Sequence, residues 1–169
     1  MAPPQGTKGP RILALKRFVE FAERGMCFRA TIGKQAFSGG ADIFYLASQS
    51  GARLRINKII FVTDSGATAV FLYVYTDPTG TITGTPVTPQ NATAGEGQTS
   101  GATCYRAVSG VSTKTNLHVG VPVVAGQQVV LDFDSTLIID QGHSLLISID
   151  LAGTTIPVGL VVEYSEEGR

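Results

Sequence analysis

From residue 27 to the C-terminus, apolar and polar residues alternate with a period of two, the spacing of half-buried β-strands. CFRATI (27–32) alternates, and ADIFYLA (41–47) is rich in β-branched and aromatic residues after the turn-forming pair Gly39-Gly40. RLRINKIIFVT (53–63) starts with Leu54 and Ile56 inward and Arg53, Arg55 and Asn57 outward, then runs into IIFV. That break in parity predicts a bulge or a switch to burial on both faces. AVFLYVYT (69–76) sets Phe71, Tyr73 and Tyr75 on one face and Val70, Leu72 and Val74 on the other, and DSGA before it reads as a hairpin loop. Shorter strands are expected at TCYRAV (103–108) and NLHVGVPVV (116–124). In QQVVLDFD (127–134), Val129, Leu131 and Phe133 point in and Asp132 and Asp134 point out. STLIID, QGHS and LLISIDL read as a hairpin, and VGLVVEYSEE (158–167) closes the chain as a strand with an acidic end.

The N-terminal pattern is different. In PRILALKRFVEFAERG (10–25), Ile12, Leu15, Val19 and Ala22 recur at spacings of three and four, with Phe18 beside them. Pro10 suits the first turn of a helix and Gly25 the position just past its end. Arg17, Glu20 and Arg24 take the opposite face, with Glu20 and Arg24 placed as an i,i+4 pair. An amphipathic helix of this kind must pack on its own sheet or on a neighbouring subunit. Residues 1–26 therefore read as a basic N-terminal arm and helix, and residues 27–169 as a single β-sandwich domain.

One stretch decides whether that division is right. DPTGTITGTPVTPQNATAGEGQTSGAT (77–103) is almost all Gly, Pro, Thr, Ala and Ser, and its composition suits a tether between two domains. As a tether it would leave a C-terminal piece with too little apolar surface to close a core of its own. A sandwich drawing strands from both sides is more economical. The stretch is then a long inter-strand loop with room for a short strand at TITGTPV. The fold class expected is all-β, a jelly-roll-like β-sandwich of about eight to ten strands with one N-terminal amphipathic helix or arm.

Composition agrees with strands and turns. Charged residues make up 15% of the 169-residue chain, below the usual ~25%, because Thr, Ser and Gly take their places. Net charge is zero, but residues 1–60 carry +7 and residues 61–169 carry −7. Either the two halves neutralise each other inside one fold, or a basic arm meets an acidic partner. Cys27 and Cys104 are far apart and in no metal-like spacing, and MAPPQGTKGP has no apolar signal core, so free thiols in a reducing cytoplasm are expected. No run approaches the ~18 apolar residues of a membrane helix.

Signs of chemistry are sparse. Asp132-x-Asp134 offers two carboxylates on one strand face, as Ca²⁺ requires, but solubilising charge explains them equally. Asp140 and Asp150 sit at hairpin ends, where Asp favours turns. His118 and His143 are isolated, and no nucleophile elbow, phosphate-binding loop or Cys/His cluster accompanies them. No cofactor or metal is expected. The basic residues are spread over arm, helix and strand without aromatic interleaving, which weighs against nucleic acid. Trp is absent and most Tyr and Phe positions are assigned to the core, which weighs against a sugar-binding face; Tyr45, Tyr105 and Tyr164 are the aromatics expected at the surface. Arg53, Arg55 and Asn57 form either a solvated face or a patch for an acidic partner.

The order LRINKIIFVTDSGATAVFLYVYTDPTG…TGTPVTP, then GVPVVAGQQVVLDFDSTLIIDQGHSLLISI, then GLVVEYSEE, resembles a group of small structural proteins of tailed bacteriophages and prophages. These are jelly-roll or TNF-like sandwiches that decorate or cement the capsid, or form fibres on head or tail. The likeness covers about residues 53–167 and rests on strands and turns, so the basic N-terminal segment lies outside it. It implies a non-enzymatic protein of the capsid surface, made in the host cytoplasm, that binds the major capsid protein and itself as a trimer or dimer. Nucleic acid and membrane are not among the implied partners. Lys8, Arg11, Lys16, Arg17, Arg24, Arg53 and Arg55 are the candidate capsid contacts. A fibre component, or a carbohydrate-binding jelly roll that recognises a host surface, are the alternatives.

Overall fold

The computed structural model describes residues 26–49, 51–64, 70–92, 98–124, 126–151 and 155–168. They hold eleven strands: β1 (Cys27–Phe37), β2 (Ala41–Ala47), β3 (Arg53–Thr63), β4 (Val70–Thr76), β5 (Thr79–Pro86), β6 (Gln90–Asn91), β7 (Thr103–Thr113), β8 (Asn116–Val123), β9 (Gln128–Ile139), β10 (Ser144–Leu151) and β11 (Ile156–Glu167). No described residue is helical. The amphipathic helix expected over residues 10–24 lies outside the described residues, as do Lys8, Arg11, Lys16, Arg17 and Arg24.

The strands form two antiparallel sheets, β6-β1-β11-β3-β9 and β5-β7-β2-β10-β4-β8. With β5, β6 and β7 set aside, the other eight pair β1 with β11, β2 with β10, β3 with β9 and β4 with β8. That is one long hairpin rolled up so that its successive strand pairs fall alternately in the two sheets, which defines a jelly roll. The expected β-sandwich is therefore found. Two local expectations are corrected by the same geometry. DSGA does not close a hairpin, because β3 and β4 lie in different sheets. QGHS does not either, because β9 and β10 also lie in different sheets. A period of two says which residues face inward, but not which sheet a strand joins.

Each sheet draws strands from both sides of residues 77–103. The stretch contains β5 and β6, so much of it is strand and not loop. Together with β7, which follows the stretch, its strands cover edges that the eight-strand frame would leave bare: β7 joins β2, β5 joins β7, and β6 joins β1. The approach of β5 to β7 depends on glycine at Gly80 and Gly110, where a Cβ would collide with the backbone of the facing strand.

The core fills the space between the sheets. Phe44, Leu46, Leu72, Val74, Leu145 and Ile147 of one sheet meet Leu54, Ile59, Phe61, Leu160, Val162 and Tyr164 of the other. The parity break in β3 resolves at Asn57. Opposite β11, Ile56 faces Tyr164 and Lys58 faces Glu163, so Asn57 is one extra residue in β3. Residues 54 and 56 point inward before the bulge, and 59, 61 and 63 after it. Asn57 is thus not on a solvated face with Arg53 and Arg55. It is buried, and its Oδ1 accepts a hydrogen bond from Ser135 Oγ.

Charge closes the fold in the same way. Arg29 and Lys58 pair with Glu163, Lys34 with Asp64, Arg53 with Asp140 and Arg55 with Glu167. All five cations belong to the basic first sixty residues and all four acids to the acidic remainder. Among the described residues, every cation of the first sixty is paired with an acid of the remainder.

Candidate interaction faces

Four of the chain's five tyrosines lie on one surface, the outer face of the six-stranded sheet. The alternation of β4 that buries Val70, Leu72 and Val74 necessarily turns Phe71, Tyr73 and Tyr75 outward. Cross-strand register then builds a row: Tyr105 of β7, Tyr45 of β2, Leu146 of β10, Tyr75 of β4 and Leu117 of β8 stand opposite one another in turn. Five strands at ~4.8 Å spacing make the row roughly 19 Å long. The Tyr45 and Tyr105 rings stack with centroids 6.1 Å apart, and Phe71, Tyr73 and Tyr75 continue as a ladder at 6.3 and 6.1 Å. Leu146, between Tyr45 and Tyr75, is fully buried although it points away from the core, while Phe71 is 42% exposed and Leu117 54%. At Gly120, opposite Tyr73, a Cβ would stand 3.2 Å from the Tyr73 ring, so glycine leaves room for that ring to lie flat.

Polar groups border the aromatic surface. Asp42 accepts hydrogen bonds from Ser148 Oγ at 2.7 Å and from the Lys114 ammonium. Asp150 stands opposite Phe71 and is exposed. The arrangement offers apolar ring faces, phenolic hydroxyls and carboxylates together on a rigid support. Such a face can make broad contact, because tyrosine supplies large area at little conformational cost.

A second feature lies at the open edge between β8 and β9. The chain's two histidines, isolated in sequence, both line a cleft of about 350 Å³ with Thr76, Asp77, Thr136 and Asp140. His143 Nδ1 is 3.0 Å from Asp77 Oδ2, and Asp77 Oδ1 accepts the Ser144 amide at 3.1 Å. Thr136 Oγ1 donates to the Phe133 carbonyl, so that hydroxyl is already engaged. Among the described residues, no group of three or more His, Cys, Asp or Glu side chains is arranged to hold a metal ion. Asp132 Oδ1 instead accepts the Asp134 amide of its own strand.

The acidic end of β11 is interior. Tyr164 and Glu166 share the inward face with Leu160 and Val162, and both are fully buried. Tyr164 was expected at the surface; the even-numbered alternation of β11 corrects this. Glu166 accepts from Ser100 Oγ and from the Gly101 amide at 3.0 Å, and Ser100 Oγ is 2.7 Å from the Tyr164 hydroxyl. These bonds tether residues 100–101, the end of the Gly/Thr-rich stretch, to the core. Cys104 lies against the same group, and Cys27 and Cys104 are buried free thiols. Burial pushes both thiols up to about 12, with Glu163 adding to the rise at Cys27.

Of the expected contact residues that are described, Arg53 and Arg55 sit at one end of β3, in the opposite sheet from the aromatic face. Arg53 pairs with Asp140, and Arg55 Nε lies 2.6 Å from Glu167 Oε1 with little exposure. Neither is brought near the tyrosines. The sequence signal for the aromatic face was present in the strict alternation of VFLYVYT, where the aliphatic side is the better core. No family model, curated protein or solved structure matches the chain.

Proposed function

We propose that this is a non-enzymatic virion structural protein that decorates and cements a bacteriophage capsid, binding the major capsid protein and further copies of itself. The observation that carries this reading is the aromatic outer face of the six-stranded sheet, a continuous run of tyrosine and phenylalanine rings carried on a jelly roll. A shell presents an extended surface, and an extended face of tyrosines matches it better than a pocket would. Buried aromatic anchors supply most of the energy in such contacts. The resemblance of residues 53–167 to phage structural proteins points the same way. Co-sedimentation with purified shells tests it. The protein should pellet with them in hundreds of copies per particle, and Tyr73→Ala with Tyr75→Ala should weaken binding by about tenfold or more. A dozen or fewer copies per particle would instead indicate a head or tail fibre part.

A second reading has its own support. The stacked Tyr45–Tyr105 pair, with the carboxylates of Asp42 and Asp150 on the same face, suits the apolar faces and hydroxyls of a sugar. Saturable binding on a glycan array, lost in Tyr45→Ala and absent towards shells, would favour a carbohydrate-binding jelly roll.

A further inference from the structure

The outer face of the five-stranded sheet carries a different pattern. Arg29 of β1, Glu163 of β11, Lys58 of β3 and Asp132 of β9 stand opposite one another in register, so charge alternates plus, minus, plus, minus across four strands. Within the chain the first three are joined: Arg29 Nη2 is 2.5 Å from Glu163 Oε1, and Lys58 Nζ is 3.5 Å from Glu163 Oε2. Two cations share one carboxylate, while Asp132 forms no ion pair among the described residues. The row is therefore left with excess positive charge at one end and negative charge at the other. Beside it runs a second register row, Thr31, Val161, Ile60 and Val130. It is β-branched throughout, and Val130 is 49% exposed.

We propose that a second copy of this chain covers this face, related by a two-fold axis that lies in the interface parallel to the strands and passes between β11 and β3. Such a rotation reverses the order across the sheet and keeps position along it. Arg29 then comes over the partner's Asp132, and Glu163 over the partner's Lys58. The β-branched row meets its own counterpart, with Val161 against the partner's Ile60. A two-fold axis along the row would instead set each charge on its like. The alternating order is what makes the face complementary to itself, as an isologous contact requires. It deepens the self-association in the proposed function and rests on that reading for its purpose. A dimer closed through the five-stranded sheets leaves both aromatic faces uncovered and pointing in opposite directions, one free to meet a shell and the other turned away from it.

Charge reversal in the full-length chain, read by light scattering after gel filtration at micromolar concentration, tests the interface. The native protein is expected to be a dimer. Arg29→Glu alone and Asp132→Lys alone each place like charges together and should shift the equilibrium to monomer by about tenfold or more in affinity. Mixing the two variants restores opposite charges at both ends, so heterodimers should form and be seen by native mass spectrometry. Val130→Asp, at the exposed end of the β-branched row, should also give monomer that stays folded by circular dichroism; it serves if Arg29→Glu fails to fold. A native monomer or trimer, or a dimer indifferent to Val130→Asp and to charge reversal, would overturn the proposal. So would two monomeric variants that fail to pair when mixed. Shell binding is measured separately: its loss in a protein that still dimerises would sink the capsid reading and leave this one standing.

Discussion

Glu166 shows how much one buried side chain organises. A carboxylate with no exposure is costly unless its lone pairs are filled, and here Ser100 Oγ and the Gly101 amide fill them. Ser100 also meets the Tyr164 hydroxyl, so Ser100→Ala withdraws one partner from two buried groups at once. We expect it to destabilise the fold by about 1–3 kcal/mol, measured by urea denaturation. The two thiols give a pH signature. Their folded values of about 12 lie above the ordinary 9.0, so the unfolded chain releases these protons first. Stability from this source is complete below about pH 9 and falls as pH rises towards 12, by about 1.4 kcal/mol per pH unit for each thiol. The Tyr164 phenol, raised chiefly by burial, acts with the same sign. Urea midpoints at about pH 8 and pH 10.5 should therefore differ, and native thiols should resist a thiol reagent at the lower pH. An unchanged midpoint would refute the burial argument. The position of Glu166 was legible: Leu160, Val162, Tyr164 and Glu166 fall on one parity. What obscured it was the general preference of acids for water, which the Ser100–Gly101 segment overrides from sixty-six residues away in the chain.

At the scale of elements, strand extents and inward faces could be read from the sequence, whereas strand partners could not. β2 and β3 run over the residues expected, and the aliphatic side of β4 is the buried one. The pairing of β3 with β9 and of β4 with β8 depends on contacts between segments far apart in the chain, which no local period encodes. Short polar turns such as DSGA suit a crossover between sheets as well as a hairpin. The bulge at Asn57 is an intermediate case, visible as a parity break and explained only by the neighbouring strands. It allows a test. Deleting Asn57 makes Leu54, Ile56, Ile59 and Phe61 alternate strictly and keeps each on its inward face opposite β11, so the variant should stay folded by circular dichroism. Asn57→Ala keeps the residue count and loses only the bond to Ser135. It should stay folded, at a cost of about 1–2 kcal/mol. If the deletion failed to fold, parity would not be what sets the register of β3 against β11.

For the whole molecule, the charge asymmetry between the chain's halves posed a choice that the ion pairs partly answer. Five cations of the first sixty residues are taken up by acids of the remainder, so +7 against −7 does not by itself require an outside partner. Most of these pairs are partly exposed, and exposed pairs contribute little to stability. Their consequence is for binding: Arg53 and Arg55 are already matched, which leaves Lys8, Arg11, Lys16, Arg17 and Arg24 as the remaining candidate contacts. Among the described residues, the core and every strand are built from residues 27–167, and Met26 supplies the carbonyl that receives the Glu166 amide. A variant lacking residues 1–25 should therefore unfold at nearly the native temperature and still dimerise through the five-stranded sheet. If the basic segment attaches the protein to a shell, the same variant should lose about tenfold or more in shell affinity, and the native protein's affinity should fall steeply with added salt. Full affinity after truncation would transfer the whole of the attachment to the tyrosine face, where Tyr73→Ala with Tyr75→Ala already measures it.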